Sequence, residues 1–505
     1  MIAKTDRLPK PAKRKRKAAP PKNEYDAIQD KKRRRAASTI LKAEDAILDA
    51  TGRKKLLNNT CDLQRNAPDA GWAIRKHLDF VSQFNFQCRT PDESYNTDLE
   101  YHVTSVLGEP YNLEIAARHA MNPFFRLAEA HKIIDGDVFL LKLADGRLQA
   151  LEGDRIRTAG KTRTSPEWYK PADFDHGIKS SKAGRAQWYC VTNRTGSSFE
   201  FGGLYPERWI IPYGSFHRFD QVRGVTPLSA ALNSFRDLYE GRVYALMKFK
   251  VAQLFGMVIT RQSDEPLGGY EAVEASDGDT EDSAGNDPAG YDLDLGKGPF
   301  VQEMDPGDDA KFLSNNLGAD DIAKLDQLII GSALKSLDIP LSFYHEDLTN
   351  FFGSKQAERL YLFSAVQKRE AHKRLRNAWL KWRLGIAVAL GEVKLPRGMD
   401  FDALYRACEW VPEGLPWWRP MEEVKSTIEA ISSGQISTPE AVKERGRDAY
   451  EIARQQAKYD LYVKQLRESV DLPPQPGFGA MTDANIETIA DQERRANQGR
   501  HVAPV

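Results

Sequence analysis

The chain is short of the features that mark most enzymes, membrane proteins and secreted domains. Its 505 residues include four cysteines, Cys61, Cys88, Cys190 and Cys408. They lie far apart in sequence, and no pair has zinc-ligand or redox-motif spacing, which fits a reducing intracellular compartment. No apolar run is long enough to span a bilayer. The first residues lack the apolar core of a secretory signal. The expectation is a soluble protein, cytoplasmic when made, with no membrane partner. Catalytic signatures are missing too. There is no G-x-x-x-x-G-K-[ST] phosphate loop, no H-E-x-x-H zinc motif and no G-x-S-x-G nucleophile elbow. His345-Glu346 lacks a second histidine at helical spacing, and the other histidines are scattered, as surface or satisfied core residues are. The chain is therefore read as no enzyme, with no catalytic residue, cofactor or metal.

What is present is a large apolar fraction, 41%, with 10% aromatics, enough for a sizeable core in several units. The formal net charge is zero, but the charge is laid out in blocks. Residues 1–35 carry KRKRK at Lys13–Lys17 and KKRRR at Lys31–Arg35 and few large apolar residues. Such a segment cannot bury a core. A solvated tail and a phosphate- or partner-binding arm are both open readings. At the opposite extreme, residues 262–309 hold fifteen acidic residues against one lysine, Lys297. A solvated, flexible insertion is the favoured reading, since DGDTEDSAGND does not have EF-hand spacing.

Between these blocks the hydrophobic period changes. QRNAPDAGWAIRKHLDFV, Gln64 to Val81, puts Trp72, Ile74, Leu78 and Val81 near one helical face, and a second helix is expected from Leu113 through Ala130. DGDVFLLKLADGRLQALEGDRI has two short apolar runs about Ala144-Asp145-Gly146, a hairpin signal. QWYCVTN, FEFGGL and RWIIPY continue the β pattern. Asp135, Asp137, Asp145, Glu152 and Asp154 crowd this hairpin; a metal-dependent nuclease would need such carboxylates to converge, and they are read instead as turn residues. Thr226 is a candidate N-cap with Pro227 behind it, opening a helix to Ala252; LFGMVIT and GPFVQEM read as strands flanking the acidic segment. A helix over Ala319–Leu337 follows. DLTNFFGSKQAERL, Asp347 to Leu360, breaks at Gly353, and Ser354 is a plausible cap for a long helix to Leu390. That helix is heavily basic from Lys355 to Arg383. Trp379 and Trp382 within it could stack on bases, but tryptophans three apart more often face a core, and that reading is favoured. WVPEGLPWWRP, Trp410 to Pro420, reads as a rigid aromatic-proline loop, and three more helices precede a tail after Pro473.

Four segments in this order resemble the lambda-type family of phage portal proteins, over roughly Asn58 to Leu466. LQRNAPDAGWAIRKHLDFVSQFNFQCRT is similar to the family's R-N-x-P-x-A-x-x-A-I segment and the strand after it. RGVTPLSAALNSFRDLYEGRVYALMKFKVAQLFGMVIT resembles its R-G-x-[ST] helix. LDIPLSFYHEDLTNFFGSKQAERL resembles its Gly-Ile-Pro segment and the N-[YF]-[ST]-S turn. GLPWWRPMEEVKSTIEAISSGQISTPEAVKERGRD resembles its C-terminal W-x-x-P-x-K-E segment. Three departures stand out. The glycine before Ile-Pro is Asp338, the Tyr-Ser of the turn is Phe352-Gly353, and Pro-x-Lys-Glu is Pro420-Met421-Glu422-Glu423.

The resemblance implies an α+β portal fold: a disordered basic arm at 1–35, a wing at 50–225, stem helices at 226–252 and 316–340, a clip at 253–315 with an acidic loop at 262–295, a channel loop at 341–354, a wing helix at 355–400, a helical crown at 401–472 and a disordered tail at 473–505. It implies a ring of about twelve copies at one capsid vertex, through which double-stranded DNA enters and leaves. Other implied partners are terminase, capsid or scaffold protein, and a head–tail adaptor. The place would be the virion, and the host cytoplasm during assembly. Channel-facing candidates are Asn350, Phe351, Phe352, Ser354, Lys355 and Arg359; partner-docking candidates are Asp277, Asp279, Glu281 and Asp282. A DNA-processing enzyme and a monomeric DNA-binding adaptor of the phage head are the other classes considered.

Overall fold

A computed structural model describes residues 44–196, 198–254, 319–345, 351–414 and 419–469. The basic arm, the strands LFGMVIT and GPFVQEM, the acidic segment with Asp277, Asp279, Glu281 and Asp282, Asn350, and the tail lie outside the described residues, apart from Leu254.

The chain opens with helices α1 (Glu44–Ile47), α2 (Ala50–Asn66) and α3 (Pro68–Val81). Asp49 caps α2 by accepting from the Gly52 amide, and Pro68 occupies the first turn of α3, where no amide is needed. Strand β1 (Phe84–Cys88) follows, then α4 (Glu93–Tyr101), a single turn α5 (Pro110–Leu113) and α6 (Met121–Ile134). The helix expected from Leu113 to Ala130 is thus displaced. Glu114 interrupts it: its carboxylate accepts from the Arg118 and His119 amides, and its backbone bridges to Leu148. A side chain that takes the amides removes the donors a helix would use.

The expected hairpin is present as β2 (Asp137–Lys142) and β3 (Leu148–Glu152), with Leu140 opposite Ala150 and Gly146 at φ +87° in the turn. The three strands β4 (Ile178–Ser180), β5 (Ala186–Thr195) and β6 (Ser198–Pro206) form a second antiparallel sheet, while β7 (Ile210–Gly214) returns to β2. Asp137 is a correction to the turn reading. It is a buried residue of β2 whose carboxylate accepts from Arg223 Nε at 2.7 Å and Nη2 at 2.8 Å. Arg223 also donates to the carbonyls of Gly153, Ile156 and His176. The R-G-x-[ST] run is therefore a clamp: a Cβ on Gly224 would stand 2.1 Å from the Gly136 carbonyl oxygen, and Thr226 donates to the Ile133 carbonyl while capping Leu228.

Thr226 caps a 3₁₀ turn, Pro227–Ala230, before α7 (Leu232–Leu254) begins. Helix α8 (Ala319–Leu334) ends in a second 3₁₀ turn, Lys335–Leu337. Early residues of α7 (Leu232, Phe235, Leu238) share a core with late residues of α8 (Ile330, Ala333, Leu334), so the two run antiparallel. Helix α9 (Phe351–Ala389) starts three residues before Ser354, which lies inside its first turn rather than at its cap. Gly353 costs a helix about 1 kcal/mol, too little to stop one of 39 residues. The remaining elements are α10 (Phe401–Ala407), β8 (Cys408–Pro412), α11 (Pro420–Ser432), α12 (Thr438–Glu444) and α13 (Ala449–Ser469). The start of the expected aromatic-proline loop is in fact β8, paired antiparallel with β1. Trp410 there is buried against Phe86 and Trp379, and that burial selects the strand.

Candidate functional site

Helix α9 joins two environments. Its second half is core: Leu375, Trp379, Leu380, Leu384 and Ala387 pack with Phe84, Phe125, Leu140 and Trp410, and Trp382 packs against the same cluster. The core reading of the tryptophans holds. Much of the basic run is consumed internally as well. Arg376 is fully buried between the rings of Phe84, Phe125 and Trp410, and donates to the Ser82 carbonyl and Asn122 Oδ1. Burial pushes its guanidinium down to about 9. Arg369 donates to the Phe80 carbonyl, Lys373 pairs with Glu370, and Arg383 lies 3.6 Å from Glu392. The helix is heavily basic in sequence, but these contacts spend much of that charge inside the fold.

The first half of α9 behaves differently. Leu360, Phe363 and Val366 are 65%, 83% and 52% exposed, at spacing that aligns them on one helical face, and Arg359 is exposed beside them. Polar ties hold the start of the helix to its neighbours. Lys355 Nζ meets Glu423 Oε1 of α11 at 3.0 Å, and Arg445 reaches Glu423 Oε2 at 3.1 Å. These contacts, Lys355 first, pull the Glu423 carboxyl down to about 2. Phe351, Phe352 and Ser354 fall in the opening turn.

Asp338 anchors the same half of α9. It stands where the family has glycine, and its backbone is left-handed, φ +61°, a conformation aspartate tolerates better than most residues. Its carboxylate accepts from Ser364 at 2.7 Å and Lys368 at 2.8 Å. The departure keeps the backbone of the glycine and adds a tie to α9.

Arg242 gathers the neighbouring elements. It reaches Asp326 of α8 at 2.9 Å, Asp69 of α3 at 2.7 Å and the Tyr344 hydroxyl at 3.1 Å. Around this anchored side, α7 exposes Tyr239, Tyr244, Leu246 and Met247, and α8 exposes Leu325 and Leu328, the last 73%. Among the described residues, no helix is long and apolar enough to cross a membrane, and no group of three or more potential ligands could hold a metal ion. Glu152 and Asp154 pair with Arg194 instead.

One buried cluster escaped the sequence reading. Glu129 of α6 accepts from the Tyr213 hydroxyl of β7, meets His77 Nε2 of α3 at 3.0 Å and Lys132 Nζ at 3.1 Å, and lies 3.4 Å from His372 of α9. Burial alone would push its carboxyl up, but the Lys132 ammonium and the two histidines hold it well below the usual range. Burial pushes His372 down to about 4 and lowers His77 as well, so both rings are neutral near pH 7. A Glu-x-x-Lys pair within the largely apolar FFRLAEAHKII was the one signal for it. Its four elements make it a structural pin, sealed from solvent.

The architecture mixes helix and sheet, with an antiparallel helix pair and a long helix whose first half exposes an apolar row. A family model for phage portal proteins of the lambda family matches residues 31–360, and the chain belongs to that family. Comparison with curated proteins finds no match. Among solved structures, a chain in the virion of the native gene transfer agent (GTA) particle is similar at TM-score 0.44 and 12% identity, over 85% of this chain and 100% of that one. A chain in the neck of the empty GTA particle, computed with C6 symmetry, is similar at 0.44 and 12%, over 83% of this chain and 94% of that one. One in the native neck, computed with C12 symmetry, stands at 0.42 and 12%, over 85% and 100%.

Proposed function

We propose that this chain is the portal subunit of a phage head, a structural protein without a catalytic step. About twelve copies close into a ring at one capsid vertex. Double-stranded DNA passes through the ring during packaging and ejection, terminase and a head–tail adaptor dock on it in turn, and capsid or scaffold protein surrounds it. The observation that carries this reading is the family match over residues 31–360. The exposed row Leu360, Phe363 and Val366 and the uncovered faces of α7 and α8 support it, because apolar surface of this kind on a soluble chain marks association.

In this reading the wing is built from 50–225 with the helix over 355–400, the stem from 226–252 and 316–340, the clip from 253–315 and the crown from 401–472. The loop at 341–354 faces the channel. Asn350, Phe351, Phe352 and Ser354 of this loop, with Lys355 and Arg359 just after it, repeat around the ring, and sliding DNA meets them through non-specific phosphate contacts rather than base contacts. Asp277, Asp279, Glu281 and Asp282 form an acidic rim that steers basic partners. The subunit resides in the virion after assembly in the host cytoplasm.

The test is the mass and negative-stain image of the purified full-length protein. A particle with a central hole and a mass about twelve times the monomer's is expected. A stable monomer at every concentration and salt would sink the reading, and nuclease and DNA-binding assays would then decide between the other two classes.

A further inference from the structure

Cys88 and Cys408 are distant in sequence but directly opposite in space. They are register partners at the end of the β1–β8 pair. The Arg89 amide donates to the Ala407 carbonyl at 2.9 Å, and the Glu413 amide donates to the Gln83 carbonyl at 3.1 Å. Antiparallel pairs alternate between hydrogen-bonded and non-hydrogen-bonded. The hydrogen-bonded pairs are thus Gln83/Glu413 and Arg89/Ala407, which puts Cys88/Cys408 in a non-hydrogen-bonded pair. Pro412, which has no amide, confirms the phase by standing opposite Phe84 in the same class. In such a pair the Cα atoms are roughly 4.5 Å apart and both side chains leave the same face. That spacing falls within the roughly 4.4–6.8 Å a disulfide spans.

We propose that Cys88 and Cys408 are a redox modification site, converted by exchange with a small disulfide such as oxidised glutathione into a cross-strand disulfide that locks β1 to β8. Both cysteines are free thiols in the structure. Cys408 Sγ donates to the Leu404 carbonyl at 3.3 Å, a contact the thiol gives up when it bonds to Cys88. The two thiols act on each other, which lowers Cys88 and holds Cys408 up. Cys88 is therefore the readier thiolate. Cys88 is 2% exposed but borders a groove of about 300 Å³ with Arg89, Asn96, Glu100 and Arg454, the side from which the small disulfide would approach.

The chemistry balances within that pair of reactants. The Cys88 thiolate attacks one sulfur of glutathione disulfide, the S–S bond breaks, and one glutathione thiolate leaves. Cys408 loses its proton to water and attacks the Cys88 sulfur of the mixed disulfide, expelling the second glutathione thiolate. Two protein thiols are oxidised by two electrons, and one glutathione disulfide is reduced to two thiols. The bond would join the chain before the wing sheet to the strand that leads into α11–α13. It would stay open in a reducing cytoplasm and close outside the cell.

The experiment incubates the full-length chain with oxidised glutathione, alkylates the remaining thiols and maps peptides by mass spectrometry. The expected product is a Cys88–Cys408 linked peptide about 2 Da lighter than its two parts, reversible by dithiothreitol, with Cys61 and Cys190 alkylated. Oxidation should raise the melting midpoint by several degrees, and Cys408→Ser should lose both the linked peptide and the shift. Because the peptide map is read on the unmutated chain, it does not depend on a variant folding. Full alkylation of both cysteines, stable mixed disulfides at either, or cross-links between chains would each overturn the proposal. None of these outcomes bears on ring formation, so the portal reading stands or falls separately.

Discussion

The two halves of α9 are one continuous helix with opposite fates. From Leu375 onward its apolar residues are covered by this chain's own strands and helices, with Trp379 at 1% exposure. Between Leu360 and Val366, Tyr361 and Ala365 are buried, but Leu360, Phe363 and Val366 stand in solvent. Helix propensity does not separate them; what differs is whether the rest of the chain supplies a partner. Burial holds the second half; the first is held by Tyr361 and Ala365 on its inner side, by the tie of Asp338 to Ser364 and Lys368 there, and at its start by Lys355. A helix anchored on one face and bare on the other is set up to receive a second molecule.

The contrast breaks most visibly at Phe363. With Phe363→Asp the apolar row carries a charge, and the ring should be lost outright, an about tenfold fall in particle mass. Melting of the separated chain should change by less than about 0.5 kcal/mol, since the site is exposed in it. A mutant that still forms rings would place the subunit contact elsewhere. Trp379→Ala, the same kind of change in the other half, should cost about 3–5 kcal/mol and lower the denaturation midpoint. A loss under about 1 kcal/mol would mean the core is not what holds α9.

The halves also differ in what was legible beforehand. The hairpin at Ala144-Asp145-Gly146, the cap at Thr226 and the burial of Trp379 depend on short-range pattern, and sequence carried them. The portal family was legible because four segments kept their order. Asp137 looked like a turn residue because its partner, Arg223, arrives from across the domain. Cys88 and Cys408 looked isolated for the same reason: strand pairing between distant segments leaves no spacing signal. Ser354 looked like a cap because Gly353 precedes it, yet tertiary packing along α9 outweighs one glycine.

Acid should separate the halves next, because the titrating cluster lies on the buried side. His372 falls to about 4 in the folded chain against 6.5 unfolded, and His77 is lowered too. Between those values the unfolded chain binds more protons, so stability is lost as pH falls. Glu129, held low, contributes in the same direction: its share is present above its unfolded value and is lost as pH drops through the folded one. Unfolding free energy should therefore fall by about 2 kcal/mol from pH 7 to pH 5, and His372→Gln should flatten that slope. A profile level down to pH 5 would mean that the rings take up protons without opening the core.

The smallest effect is expected at the tie between Lys355 and Glu423. Lys355 and Glu423 are partly exposed, and such pairs contribute about 0.2–1 kcal/mol. Lys355→Ala should thus leave global melting nearly unchanged. Its effect should be local, because Glu423 is also held by Arg445 and would lose only its contact to α9. Amide exchange over Met421–Ser432 should quicken in the mutant while exchange over Leu375–Ala387 stays unchanged. Glu423→Gln weakens both ionic contacts and should quicken the same segment further. If Lys355→Ala alters packaging while α11 exchange is untouched, the lysine acts on DNA rather than on Glu423; if α11 loosens and packaging is normal, its place is in the wall of the wing and not in the channel.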